Sequence, residues 1–166
     1  MQLDNNIINV SGDSSLGIFS ENGTVTSNTG TINIGNGSVG IYGISHQNPA
    51  SVPAHGGGLI DIANTGVIRA SAGTGAIGIY ADNNTGTINT GVINSAAGVE
   101  ITAGSNEYSG HFLNTGEING SDYAIKFNNG DNVLELNNGS KISGKIQGSE
   151  GDNTVIVSGN VELDEL

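Results

Sequence analysis

The sequence predicts an all-β fold: a right-handed single-stranded parallel β-helix of about seven coils, running through residues 1–166 as one segment. Three observations predict it. A short motif repeats along the chain, isoleucines recur at fixed places within the repeat, and Gly and Asn mark the points where strands turn.

The motif is Asn-Thr-Gly-x-Ile. It stands at Asn28-Thr29-Gly30-Thr31-Ile32, Asn64-Thr65-Gly66-Val67-Ile68, Asn89-Thr90-Gly91-Val92-Ile93 and Asn114-Thr115-Gly116-Glu117-Ile118. Looser copies follow at Asn137-Asn138-Gly139-Ser140-Lys141-Ile142 and Ser158-Gly159-Asn160-Val161. Anchored on Gly30, Gly66, Gly91, Gly116, Gly139 and Gly159, the gaps are 36, 25, 25, 23 and 20 residues. The long first gap holds residues 45–57, which read as an inserted loop; without those thirteen the gap falls to 23. Each repeat is then one coil of a solenoid, a unit that buries its apolar face only by stacking on its neighbours.

Within a coil the periodicity is two. Ile18, Ile41, Ile79, Val99 and Ile125 are all apolar, whereas the residues after them are Phe19, Tyr42, Tyr80, Glu100 and Lys126. The uniform column is expected to face inward and the mixed one outward. Ile8, Ile32, Ile68, Ile93, Ile118, Ile142 and Val161 form a second inward column. Asn28, Asn64, Asn89, Asn114 and Asn137 are expected to stack as an amide ladder at one corner. Seven rungs at ~4.8 Å would make a rod roughly 34 Å long.

Composition agrees with this reading. Gly is 28 of 166 residues, aromatics are 4% and charged residues 12%, yet 35% of the chain is hydrophobic, mostly Ile and Val. Disordered chains lack that β-branched content, and such density of Gly and β-branched residues disfavours helix. A net charge of −12 with four Lys and Arg excludes binding to a phosphate backbone, so no nucleic-acid partner is expected. There is no Cys, hence no disulfide or thiolate chemistry. Met1-Gln2-Leu3-Asp4 lacks the basic region and apolar core of a signal peptide. The chain ends at Val161-Glu162-Leu163-Asp164-Glu165-Leu166 with no polar tail, and so reads as a segment of a longer protein.

Candidate sites are few. Gly12-Asp13-Ser14-Ser15 has part of a serine-nucleophile motif but lacks its second Gly, and reads as a turn; His46, His55 and His111 have no context that would make one of them a base. A carbohydrate-cleaving enzyme needs two carboxylates on one face. Asp61 and Glu100, which lies beside Lys126, are the candidates, but Arg69 is the only Arg and no basic cluster would hold an acidic sugar, which favours a solvated surface. The Gly-Asp-Asn units at Gly130 and Gly151 lie 21 residues apart, one coil, and read as corners rather than Ca²⁺ sites. No cofactor or metal site is expected. Partner binding is assigned instead to the outward aromatics Phe19, Tyr42 and Tyr80, whose competing role is cross-rung packing, and to the loop residues His46, Asn48, Pro49, Pro53 and His55. The prolines cannot donate to a ladder, and loops on rigid scaffolds commonly carry function.

The Asn-Thr-Gly-x-Ile and Gly-Ile-Tyr coils, with the paired Gly-Asp-Asn units, resemble the passenger domains of type V autotransporters, most closely the adhesin-like passengers of Gram-negative bacteria. Trimeric adhesins and two-partner-secretion proteins have a similar composition and remain alternatives. The resemblance implies a chain exported through a C-terminal outer-membrane barrel and displayed on the bacterial surface. There it would serve as a stalk or scaffold presenting binding surfaces to a host or bacterial surface protein or glycan. An enzyme fragment acting on polysaccharide is the alternative function.

Overall fold

The computed structural model describes residues 2–3, 6–21, 26–44, 61–70, 75–82, 86–102 and 110–164. The insertion at 45–57, and with it His46, Asn48, Pro49, Pro53 and His55, lies outside them. The first three rungs are β1 (Gln2–Leu3), β2 (Ile7–Val10) and β3 (Leu16–Glu21), then β4 (Thr26–Asn28), β5 (Thr31–Ile34) and β6 (Val39–Ile44), then β7 (Asp61–Asn64), β8 (Val67–Ala70) and β9 (Ile77–Asp82). The next two join their second and third strands: β10 (Gly86–Asn89) with β11 (Val92–Thr102), and β12 (Gly110–Asn114) with β13 (Glu117–Phe127). The last two are β14 (Asn132–Leu136), β15 (Lys141–Ser143) and β16 (Ile146–Gln147), then β17 (Asn153–Val157) and β18 (Glu162–Leu163).

All of these strands pair in parallel, each with the equivalent strand one rung away. The protein is a parallel β-solenoid with three faces. The first face stacks β1, β4, β7, β10, β12, β14 and β17, and the second stacks β2, β5, β8, β11, β13, β15 and β18. The third holds β3, β6, β9, the later halves of β11 and β13, and β16. The described residues make about five turns of the solenoid. Where β11 and β13 round the corner from second to third face, the register slips between Ser95 and Ala97, a bulge that bends both strands.

The inward columns are those the alternation predicts. Ile32, Ile68, Ile93, Ile118 and Ile142 are paired in succession and all buried. Ile18, Ile41, Ile79, Val99 and Ile125 do the same on the third face. Burying each such side chain is worth about 1.5–3 kcal/mol, and stacking like on like lets the β-branched shapes mesh along the pleat.

The first face is different, because its inward positions are largely polar. Asn28, Asn64, Asn89 and Asn114 are each buried, and the side-chain amides of the first three each donate to the side-chain oxygen of the next at 2.8 Å. Each also donates to the carbonyl of the motif glycine two residues on. That glycine is required by packing: a Cβ on Gly66 would collide with the Gly30 carbonyl of the preceding rung, and Gly91 and Gly116 repeat the situation.

Two positions depart from the expected columns. Asn137 is not the fifth amide of the ladder; Leu136 holds that register opposite Asn114, and Asn137 instead donates its backbone N–H to the Asn114 carbonyl at 3.0 Å. Val161 is not the last member of its column, because Leu163 pairs with Ile142. The cause is a changed corner. Gly139 takes a left-handed φ of 95°, so Ser140 rather than Gly139 falls in line with Gly116, and its hydroxyl donates to the Asn114 carbonyl at 2.6 Å. Glu117 pairs with Lys141 and Lys141 with Glu162, so these coils are 24 and 21 residues, one more than glycine anchoring suggests.

The second coil is the long one, Thr31 pairing with Val67. Its extra residues fall between Ile44 and Asp61, while the strands before and after keep the ladder register.

Candidate functional site

One column of outward positions on the third face forms a continuous line. Phe19, Tyr42, Tyr80, Glu100, Lys126 and Gln147 are successive register partners. Two-residue alternation puts them outside for the same reason that it puts Ile18, Ile41 and Ile79 inside. The line divides into an aromatic half and a charged half.

In the aromatic half the Phe19 and Tyr42 ring centroids are 5.6 Å apart at 29°, and those of Tyr42 and Tyr80 are 5.2 Å apart at 37°. The rings therefore lie on one another along the axis of the solenoid. Tyr42 is covered on both faces and offers a partner its edge and hydroxyl. Phe19, 52% exposed, keeps most of its surface free. The structure thus brings the three predicted aromatics together in a stack, which supplies cross-rung packing worth roughly 0.5–1.5 kcal/mol per pair beyond burial. Phe19, at the end of the stack, keeps an aromatic face open to a sugar ring.

The charged half is built around Glu100, whose side chain is only 12% exposed. One carboxylate oxygen accepts the Tyr123 hydroxyl at 2.5 Å, and the other accepts the Asn128 amide at 2.7 Å, with Lys126 Nζ at 3.5 Å. Burial alone would raise this carboxyl, but the Tyr123 and Asn128 hydrogen bonds and the Lys126 charge outweigh it and hold Glu100 below its ordinary range. Burial, then the hydrogen bond to Glu100 and its charge, push the Tyr123 phenol well above its ordinary value. Lys126 Nζ also lies 5.3 Å from the Tyr123 ring centroid, within cation–π range. Asn128 further donates to the Thr102 hydroxyl at 3.0 Å, and Thr102 meets the Tyr80 hydroxyl at 3.3 Å, so the network joins the aromatic half.

Tyr123 and Asn128 do not stand out in the sequence. Tyr123 reaches Glu100 because the bulge in β13 sets Tyr123 opposite Ala97 after one extra residue, a shift the glycine spacing does not register. The chemistry open to this cluster is limited: an ionised carboxylate with both oxygens engaged is a poor general acid.

The remaining candidates fall in separate places. Asp61 pairs with Gly86 on the first face, so it does not share a face with Glu100. His111 Nε2 lies 3.2 Å from Glu135 Oε1 on the first face, both side chains partly exposed. Gly12 to Ser15 form a turn, with Ser14 at φ 55° and its amide bonded to the Asn36 carbonyl. The Gly-Asp-Asn units are also corners: Gly130 and Gly151 are left-handed, and Asp131 Oδ1 accepts the Asp152 amide at 2.8 Å. Among the described residues no three His, Asp or Glu side chains gather as a metal site. An open trough of about 770 Å³ runs along the Asn-Thr-Gly corner, lined by Thr29, Thr65, Thr90, Val67 and Val92, away from the aromatic line.

No family model, curated protein or solved structure matches the chain.

Proposed function

We propose that the chain is a rigid stalk segment of a surface-displayed protein, an adhesin-like autotransporter passenger that holds binding surfaces away from the cell for host or bacterial partners. The observation that supports this reading best is the continuity of the interior. The isoleucine columns and the four-amide ladder run from rung to rung without a break in register, so load applied at one end is shared by parallel backbone ladders on three faces. The repeat motifs supply the link to passenger domains, and the outward line from Phe19 to Lys126 supplies a surface on which a partner protein or glycan would rest.

The enclosure of Glu100 and its separation from Asp61 favour the scaffold over a polysaccharide-cleaving enzyme. The test is to place the chain upstream of an outer-membrane β-barrel in a Gram-negative host. Folded, antibody-accessible chain on intact cells, binding host or bacterial surface material through the aromatic face, is the expected result. Retention inside the cell, or sugar turnover that is lost in Glu100→Gln, would overturn the reading.

A further inference from the structure

Five asparagines precede a glycine: Asn22, Asn36, Asn119, Asn129 and Asn138. Asn22 lies outside the described residues, and the other four stand in different environments. Asn119 donates to Asn94 Oδ1 at 2.6 Å and to Glu117 Oε1 at 2.7 Å, and Gly120 is held inside β13. Asn138 Oδ1 accepts the Asn160 amide at 3.1 Å, while the Gly139 N–H donates to the Asn160 carbonyl at 3.0 Å. Asn129 has its Oδ1 buried, and the Gly130 carbonyl accepts from Asn132 and Ser149. In each case the side chain or the following glycine is restrained.

Asn36 is not. It sits at the second position of a turn from Gly35 to Ser38, closed by a long 3.3 Å hydrogen bond. Gly37 at φ 60° occupies the third position, as a type II turn requires. Both residues are exposed. Among the described residues the Asn36 side-chain amide makes no hydrogen bond and the Gly37 N–H donates to nothing. Gly37 also has no Cβ to hinder approach to its nitrogen.

We propose that Asn36 is a site of spontaneous covalent modification. The deprotonated Gly37 nitrogen attacks Asn36 Cγ and forms an N–Cγ bond. The Cγ–Nδ2 bond breaks, and Nδ2 leaves as ammonia with the proton that the Gly37 amide gave up. Water then opens the five-membered imide at either carbonyl, leaving aspartate or isoaspartate. The change matters to the stack, because the Asn36 carbonyl accepts the Ser14 amide of the preceding rung at 3.0 Å. Isoaspartate displaces that carbonyl, and either product sets a new negative charge at a corner beside the Asp13–Ser14 turn. The chain already carries −12.

The test incubates the folded chain in mildly alkaline buffer and follows each Asn-Gly peptide by mass spectrometry, with a urea-unfolded sample alongside. In the folded chain position 36 converts ahead of positions 119 and 138, by roughly fivefold to tenfold for each restraining hydrogen bond that must open there. In the unfolded sample, where all have the same Gly neighbour, the rates converge. Asn36→Gln folds normally and abolishes the early product. Conversion at 36 no faster than at 119 or 138 in the folded chain, or the same rank order in urea, would overturn the assignment.

Discussion

A central rung and the last rung make the same bonds and live in different surroundings. Asn64 donates to Asn89 at 2.8 Å and Asn132 donates to Asn153 at 2.9 Å, each amide also bonding a glycine carbonyl two residues away. Asn64 and Asn89 are fully buried, whereas Asn153 is exposed. The apolar positions repeat the contrast: Leu134 is buried and its register partner Val155 is 55% exposed. The difference is a second neighbour. In a solenoid each rung is solvent for the next, so geometry fixes register while stacking on both sides fixes energy.

The largest test of that contrast is in the apolar columns. Ile93→Ala removes a fully buried side chain between Ile68 and Ile118 and should cost about 2–5 kcal/mol. Val155→Ala on the last rung should cost about 1 kcal/mol or less, since most of its surface is already wet. Equilibrium urea unfolding measures both, and equal losses would mean that rungs do not act as one another's core.

The amide ladder gives a smaller effect of the same kind. Asn89→Ala leaves one N–H of the Asn64 amide and the Asn114 side-chain oxygen buried without partners, costing about 2–3 kcal/mol, while Asn153→Ala costs about 1 kcal/mol or less because water replaces the lost bond. Leu136 already occupies the ladder register. Replacing Asn28, Asn64, Asn89 and Asn114 together by Leu should therefore be far less harmful than the single changes added, as when both partners of a buried bond become apolar.

Glu100 tests the outward surface. Glu100→Ala strands Tyr123, Asn128 and Lys126 and should cost about 2 kcal/mol at neutral pH. The sign of the pH dependence follows from the lowered carboxyl. Its folded value lies below its unfolded one, so the contribution is complete above the unfolded value and fades as pH falls through the folded value. Thermal unfolding of the protein against Glu100→Gln should show the gap closing in acid. A gap that widened there would reverse the assignment.

Much of this was legible in the sequence because alternation and repeat spacing are strong signals in solenoids. The Ile columns and the order Phe19, Tyr42, Tyr80, Glu100, Lys126 follow from period two alone. Glycine spacing does not give the register of Asn137 and Val161, because a left-handed Gly139 advances the chain without advancing the ladder. The Tyr123 and Asn128 contacts to Glu100 were hidden for a related reason. They join residues 23 and 28 apart across a bulge, and no local pattern encodes which outward side chains a bulge brings together.

The smallest expected effect concerns association. Among the described residues β17 has a neighbour on one side only, and Val155, Ile156 and Val157 are all substantially exposed on it. A parallel edge with apolar side chains and unpaired backbone groups is a template for another strand. The opposing term is the charge of −12, which repels a second copy most when it is least screened. The Debye length shrinks from about 30 Å at 0.01 M to about 3 Å at 1 M salt. Light scattering of the 166-residue chain should therefore show weak self-association that grows with salt. Ile156→Lys, which places a charge on that strand, should suppress it without changing unfolding of the central rungs. A scattering mass that stays monomeric across the salt range would mean that the terminal rung, though exposed, is not an adhesive edge.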